Sequence, residues 1–347
     1  MSDSATTTRL SVGERLQRQL AIGMGKLPGP LLERIVKAPV NSDGEVMAPE
    51  IAMLMASIAK GPDFSDVAPA QARAAEAKDV AVFGERPVPM RVVEELELPG
   101  GLVATRYRAG TSSGGLVVFF HGGGFVLGSR AAYDGPVRLL ADRTGMDILS
   151  VEYRLAPEFP YPAPHDDAMV AWKFALAHAS RWGIPQDRVV VAGDSAGANI
   201  AAVLAQRLRD PECRPALQVL TYPVTDLAGS RPSSREFADS PALTAKQIAW
   251  FKNHFLPPGI DRRDPRVSPL FAEDLTGVAP ALVTVAGFDP LRDDGLAYAA
   301  KLADSGVSTE LIREPGLVHG YLSFTALSAT SLAGVERIAS AIVRALG

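Results

Sequence analysis

Hydrophobic and polar positions change their spacing along the chain. Up to about residue 85 the apolar positions keep helical intervals, and no segment alternates as a strand would. Leu16, Leu20 and Met24 recur four apart, which predicts a helix that Pro28-Gly29-Pro30 breaks. A second helix is predicted over Ile51–Ala59 and a third, alanine-rich one over Ala70–Val80. This is too little apolar material for a core of its own, so the segment reads as a helical cover. Strand patterns begin at Arg91–Leu98. Leu102–Arg108 reads as its antiparallel partner across the turn Pro99-Gly100-Gly101. Leu116–Phe120 is wholly apolar, as suits a strand buried on both faces.

From there the patterns alternate. Helix is predicted over Pro136–Arg143, strand over Asp147–Val151, helix over Asp166–Ala179 and strand over Val189–Ala192. Helix Ala196–Leu208 and strand Leu217–Thr221 follow. The last elements are strand Ala281–Ala286, helix Leu296–Ser305, strand Thr309–Ile312 and helix Leu332–Leu346. Such alternation implies an α/β fold: a mostly parallel sheet with helices on both faces, led in by a hairpin. Ala228–Phe271 is too long for an ordinary connection. Thr244 and Gln247 are spaced there as a capping box, with Ile248, Phe251 and Phe255 following at helical intervals. The expected organisation is 1–88 as the first part of a helical cap, 89–227 as core, 228–271 as an inserted cap segment and 272–347 as the rest of the core.

Composition narrows the function classes. The chain has 347 residues, 47% hydrophobic and 21% charged, with a net charge of −4. Those values suit an ordinary globular protein and give no reason to expect nucleic acid or an acidic membrane as partner. A single cysteine, Cys213, rules out an intrachain disulfide, and it lies in a turn-like stretch as an incidental residue. The start of the chain lacks the apolar run of a signal peptide, and no run is long enough to span a bilayer. A cytoplasmic location without stable membrane insertion is the expectation.

The candidate chemistry centres on Val189–Leu208. Strand, Gly193-Asp194-Ser195-Ala196-Gly197 and helix follow one another directly, with Ser195 at the apex of the turn. A second G-x-S-x-G match, Gly110–Gly114 around Ser112, has no helix after it and reads as a linker. A serine hydroxyl needs a base, an orienting acid and oxyanion donors. Of the five histidines, His319 follows the last strand pattern, where this chain order places the base, whereas His121, His165, His178 and His254 all precede the acid. Asp289 stands at the end of strand Ala281–Ala286. Asp293 and Asp294 are its rivals, with the plainer reading of carboxylates in a helix's first turn. His121-Gly122-Gly123-Gly124-Phe125 directly follows the buried strand, and its glycine N–H groups with that of Ala196 suit an oxyanion hole. A phosphate-binding loop does not fit, because no lysine of that motif follows.

Together these residues resemble the hormone-sensitive lipase family of carboxylesterases, the bacterial family IV of the α/β-hydrolases. The likeness rests on His121–Gly124, Gly193–Gly197, Asp289-Pro290-Leu291-Arg292-Asp293 and His319-Gly320. Tyr153–Glu158 and Asp264–Leu270 extend it, so that it covers about residues 90–345. It implies an α/β-hydrolase fold with a helical cap and a triad of Ser195, Asp289 and His319. Gly123, Gly124 and Ala196 would be the oxyanion donors, and His121 and Gly122 loop-shaping motif residues. Asp194 would pack or hydrogen-bond beside the nucleophile. The implied activity is hydrolysis of short- to medium-chain acyl esters without metal or cofactor, often in a homodimer. Amide, lactone or lipid substrates, and a non-catalytic small-ligand receptor, are the alternatives; the intact His319 speaks against the last. Met24, Met53, Trp250 and Phe251 are candidate cap residues lining the pocket.

Overall fold

The computed structural model describes residues 10–111 and 113–347. Ser112, the serine of the second G-x-S-x-G match, lies outside the described residues, as do residues 1–9 at the start of the chain. The chain opens with α1 (Val12–Gly25), started by a capping box between Ser11 and Glu14. The prolines at 28 and 30 do not merely end this helix. They open another, α2 (Gly29–Ile35), because a helix's first turn has no partner for the amide that proline lacks. Helices α3 (Pro49–Ile58) and α4 (Pro69–Phe83) start with proline in the same way.

The hairpin β1 (Val92–Leu98) and β2 (Leu102–Arg108) pairs antiparallel from Leu98↔Leu102 outward, and Gly100 turns it at φ 80°. Then come β3 (Leu116–Phe120), α5 (Asp134–Thr144), β4 (Asp147–Glu152), α6 (Ala163–Ala179), β5 (Val189–Asp194), α7 (Ala196–Arg207) and β6 (Gln218–Thr221). The long connection holds α8 (Pro232–Glu236), which its spacing did not announce, and α9 (Ala245–Phe255), which starts on the Thr244/Gln247 box. The chain ends with β7 (Ala281–Phe288), α10 (Arg292–Asp304), β8 (Thr309–Val318) and α11 (Ala329–Leu346).

One eight-stranded sheet runs β1-β2-β4-β3-β5-β6-β7-β8, with β2 antiparallel to both neighbours and the rest parallel. Strand alternation splits the core in two. Leu116, Val118 and Phe120 face Trp172, Ile200 and Leu204 of α6 and α7 on one side. Val117 and Phe119 face Val137 and Leu140 of α5, Ile338 and Ile342 of α11, and Ile51 and Met55 of α3 on the other. The pattern of β8 reads as a strand only to Ile312, since Glu314, Pro315 and Gly316 interrupt it. As an edge strand it tolerates the proline and continues to Val318, which pairs with Phe288 after a register shift. Asp289 and His319 therefore leave neighbouring strands side by side. Among the described residues no helix is long and apolar enough to cross a membrane.

Candidate active site

The turn between β5 and α7 holds Ser195 at φ 53°, ψ −115°, a conformation that non-glycine residues rarely adopt. Two glycines make the turn possible. A Cβ on Gly197 would overlap the carbonyl oxygen of Phe120, and one on Gly193 would overlap the Gly197 backbone. The Ser195 N–H donates to Thr221 O at 2.9 Å, tying the turn to β6. Ser195 Oγ stands 3.0 Å from His319 Nε2, and His319 Nδ1 stands 2.8 Å from Asp289 Oδ2. The other carboxylate oxygen of Asp289 accepts the Leu291 N–H at 2.7 Å, which fixes the acid's orientation. Asp289 is fully buried, and Ser195 and His319 nearly so. The three side chains stand in the geometry of a catalytic triad.

The rival groups are occupied elsewhere. Asp293 and Asp294 do lie in the first turn of α10. Asp293 accepts the Ser233 N–H at 2.8 Å, and Asp294 accepts the amides of Thr225 and Asp226. His165 Nε2 meets Asn199 Oδ1 at 3.0 Å, and burial pushes its pKa down to about 4. His178 and His254 each bond the carbonyl one turn earlier on their own helix.

The glycine loop after β3 lies beside the elbow. Gly122 N–H donates to Asp194 Oδ1 at 2.8 Å, so this amide is used by the scaffold. Gly123 has φ 108° and Gly124 φ 59°, both in the region that favours glycine. A Cβ on Gly123 would overlap the Leu127 backbone, and one on Gly124 would overlap the Phe251 ring. His121 is fully buried; its Nδ1–H donates to Gly122 O at 2.7 Å and its ring stacks on Tyr153 at 4.3 Å. Burial pushes its pKa down and keeps it neutral.

Two residues around Asp194 had no signal in the pattern. Tyr133, just before α5, and Tyr222, just after β6, donate their hydroxyls to Asp194 Oδ2 at 2.9 and 3.1 Å. Burial is the largest influence on this carboxyl and pushes its pKa up to about 6, against the opposing effect of the two hydroxyls and the Gly122 N–H. The Tyr222 ring lies 4.8 Å from that of His319, so one tyrosine touches both the carboxylate and the base. Above the loop, Phe251 of α9 packs at 5.3 Å against Phe64, and Trp250 meets Phe64 edge-on at 5.6 Å. Phe251 thus reaches the site among the proposed lining residues, whereas Met24 is exposed. A cleft of about 990 Å³ between α1, α4 and residues 128–136 is lined by Arg18, Glu76, Gly128 and Glu152, and by none of the triad.

The family model for the alpha/beta hydrolase fold matches residues 117–323, from inside β3 to just past His319. The chain belongs to this family. Within it, the chain is one of the hormone-sensitive-lipase-like, family IV carboxylesterases. It is 42% identical over 261 residues to the carboxylic ester hydrolase LipN of Mycobacterium tuberculosis, covering 72% of this chain and 69% of LipN. It is 36% identical over 232 residues to an ethyl acetate hydrolase of Pseudomonas putida, covering 66% and 73%. Among solved structures, a hyperthermophilic esterase from Pyrobaculum calidifontis superposes with a TM-score of 0.81 at 34% identity, over 87% of this chain and 99% of that one. This family IV chain is a carboxylic ester hydrolase, and its triad geometry suits that activity.

Proposed function

We propose that Ser195 is the acyl acceptor, His319 the general base and acid, and Asp289 the group that orients and stabilises the imidazole. His319 Nε2 takes the Ser195 proton as Oγ attacks the ester carbonyl, then returns it to the leaving alcohol. Water repeats the cycle on the acyl-enzyme. Asp289 holds the Nδ1–H tautomer and favours the imidazolium without being protonated itself. The N–H groups of Gly123, Gly124 and Ala196 receive the oxyanion, and each such donor contributes about 3 kcal/mol at the transition state. Gly122 is left out of that set because its amide is bound to Asp194. Residues 1–88 and 228–271 act together as the cap.

The observation that carries this reading is the unbroken Asp289–His319–Ser195 chain at 2.8 and 3.0 Å. The substrates are small esters with short to medium acyl chains. The P. putida relative's named substrate and the aromatic ceiling of Phe64, Trp250 and Phe251 both support the short end. No cofactor, metal or nucleic acid takes part, and a homodimer is the expected assembly. Ser195→Ala should lower p-nitrophenyl butyrate turnover by about 10⁴–10⁶-fold and abolish fluorophosphonate labelling. Wild-type-like turnover in that variant would sink the assignment. A series of p-nitrophenyl esters from acetate to palmitate tests the chain-length limit.

A further inference from the structure

Helix α1 is built inside out. Its apolar side chains Val12, Leu16, Leu20 and Met24 form one stripe at four-residue spacing, and all four face away from the protein, with Val12 77% exposed. The buried residue of α1 is Arg18, whose Nη1 donates to Val82 O at 2.7 Å. A cap helix normally turns such a stripe toward the core. Helix α2 continues the pattern: Leu32 is buried, while Leu31 and Ile35 point outward, Ile35 at 61% exposure. Beyond it Val40 and Val46 are exposed as well. Most of the large exposed hydrophobics among the described residues thus fall within positions 12–46, a clustering unlike the scattered apolar residues of an ordinary surface.

The exposed charges on these helices and just after them are mainly basic. Arg15, Lys26, Arg34 and Lys37 are exposed, and none of them forms an ion pair among the described residues. The acids on these two helices are Glu14, which the Ser11 cap holds ionised, and Glu33, so the four cations outnumber them two to one. The net charge of −4 averages over this cationic segment and hides it. An apolar stripe flanked by unpaired cations, on helices far too short to span, is the pattern of a segment lying in a membrane interface.

We propose that the outer face of α1 and α2 docks on an anionic lipid bilayer. Val12, Leu16, Leu20, Leu31 and Ile35 enter the headgroup boundary, and Lys26, Arg34 and Lys37 meet lipid phosphates, while Arg15 turns with Arg18 toward the cleft beside α4. A second copy of the chain fits this face less well, because a two-fold interface sets the same cations against one another.

The test is sedimentation of the full chain with vesicles of phosphatidylcholine alone or with 30 mol% phosphatidylglycerol. Binding to the anionic vesicles should be at least tenfold tighter, and raising NaCl from 0.05 to 0.5 M should weaken it at least tenfold. Leu16→Glu/Leu20→Glu should lose at least tenfold in vesicle binding and keep p-nitrophenyl acetate turnover within twofold. Lys26→Glu/Arg34→Glu should lose the preference for anionic vesicles. The proposal is overturned if the wild-type chain ignores anionic vesicles, or if Leu16→Glu/Leu20→Glu binds them as well as wild type. It is equally overturned if sedimentation velocity finds a dimer that this variant breaks while no vesicle binding exists. The salt series on the unmodified chain decides between these outcomes even if a variant misfolds.

Discussion

At Gly197 the elbow has no room for one more carbon, since the Phe120 carbonyl occupies the place of a Cβ. Gly197→Ala must therefore push β3 from α7, and it is expected to cost about 3 kcal/mol or more, read as a lowered Tm or loss of soluble protein. The carboxyl of Asp294 makes a different prediction, because it titrates. Burial and the neighbouring Asp226 push its pKa up to about 7, against Arg231 Nε at 3.3 Å and the amides of Thr225 and Asp226, while Lys252 of α9 faces the same group. The folded protein holds this proton better than the unfolded chain does. The resulting stabilisation is complete below the usual carboxyl range and disappears as pH rises through about 7. Asp294→Asn stays neutral throughout, so its Tm relative to wild type should be higher at pH 8 than at pH 5, by about 3–4 °C. An equal difference at both pH values would show that Asp294 does not take up the proton. Ser195 and Asp289 were legible in the sequence because each closely follows a strand pattern, and His319 because it alone of the five histidines follows the acid in chain order. Asp294 was legible only as a first-turn carboxylate. Its burial against Asp226, and the hold of Tyr133 and Tyr222 on Asp194, come from segments far apart in the chain that the sheet order brings together.

Between elements, a polar and aromatic link over the site joins the short turn Phe64–Asp66 to α9. Asp63 accepts from Gln247 Nε2 at 3.0 Å and from Ser65 N at 2.9 Å, Lys246 pairs with both Asp63 and Asp66, and Phe64 packs on Phe251. The hydrogen bonds and the Lys246 charge hold the Asp63 carboxyl at about 2, against its partial burial. Since Phe251 covers Gly124, this link sets how firmly the two pieces of the proposed cap close over the glycine loop. Asp63→Ala removes about 1 kcal/mol of partly exposed contacts, which corresponds to roughly fivefold in binding. The expectation is a KM for p-nitrophenyl butyrate raised roughly fivefold with kcat within twofold. A fall in kcat with KM unchanged would place the link in the chemistry instead. Helix α9 was legible from its capping box, a local signal. Helix α2 was not, because two prolines mark the start of a helix as readily as its end. The last six residues of β8 were missed because edge position, which excuses Pro315, is a property of the sheet and not of the segment.

Across the whole molecule, the alternation of strand and helix prescribed a mostly parallel sheet but not how the first fifty residues meet it. The segment after α2 crosses to the far end of the sheet and grips the strands that deliver acid and base. Asn41 Nδ2 donates to Gly287 O at 3.1 Å, Ala48 N–H donates to Gly316 O at 2.9 Å, and Arg313 of β8 pairs with Asp43 and Glu45. Arg292, just past Asp289, reaches Asp43 at 3.4 Å and Glu236 of α8 at 3.2 Å. Gly287 and Gly316 each lie within three residues of a triad side chain, so the grip bears on the Asp289–His319 distance. A chain beginning at residue 39 loses α1 and α2 and keeps every one of these contacts. A chain beginning at residue 50 loses Asn41, Asp43, Glu45 and Ala48 together. The first truncation is expected to keep kcat/KM for p-nitrophenyl acetate within about threefold, while the second falls at least tenfold and melts earlier, since the Gly287 and Gly316 carbonyls then lose the Asn41 and Ala48 donors and Arg313 loses both its carboxylates, at about 1 kcal/mol for each hydrogen bond. If the two truncations lose activity equally, the outer helices and not the inner clasp support the site.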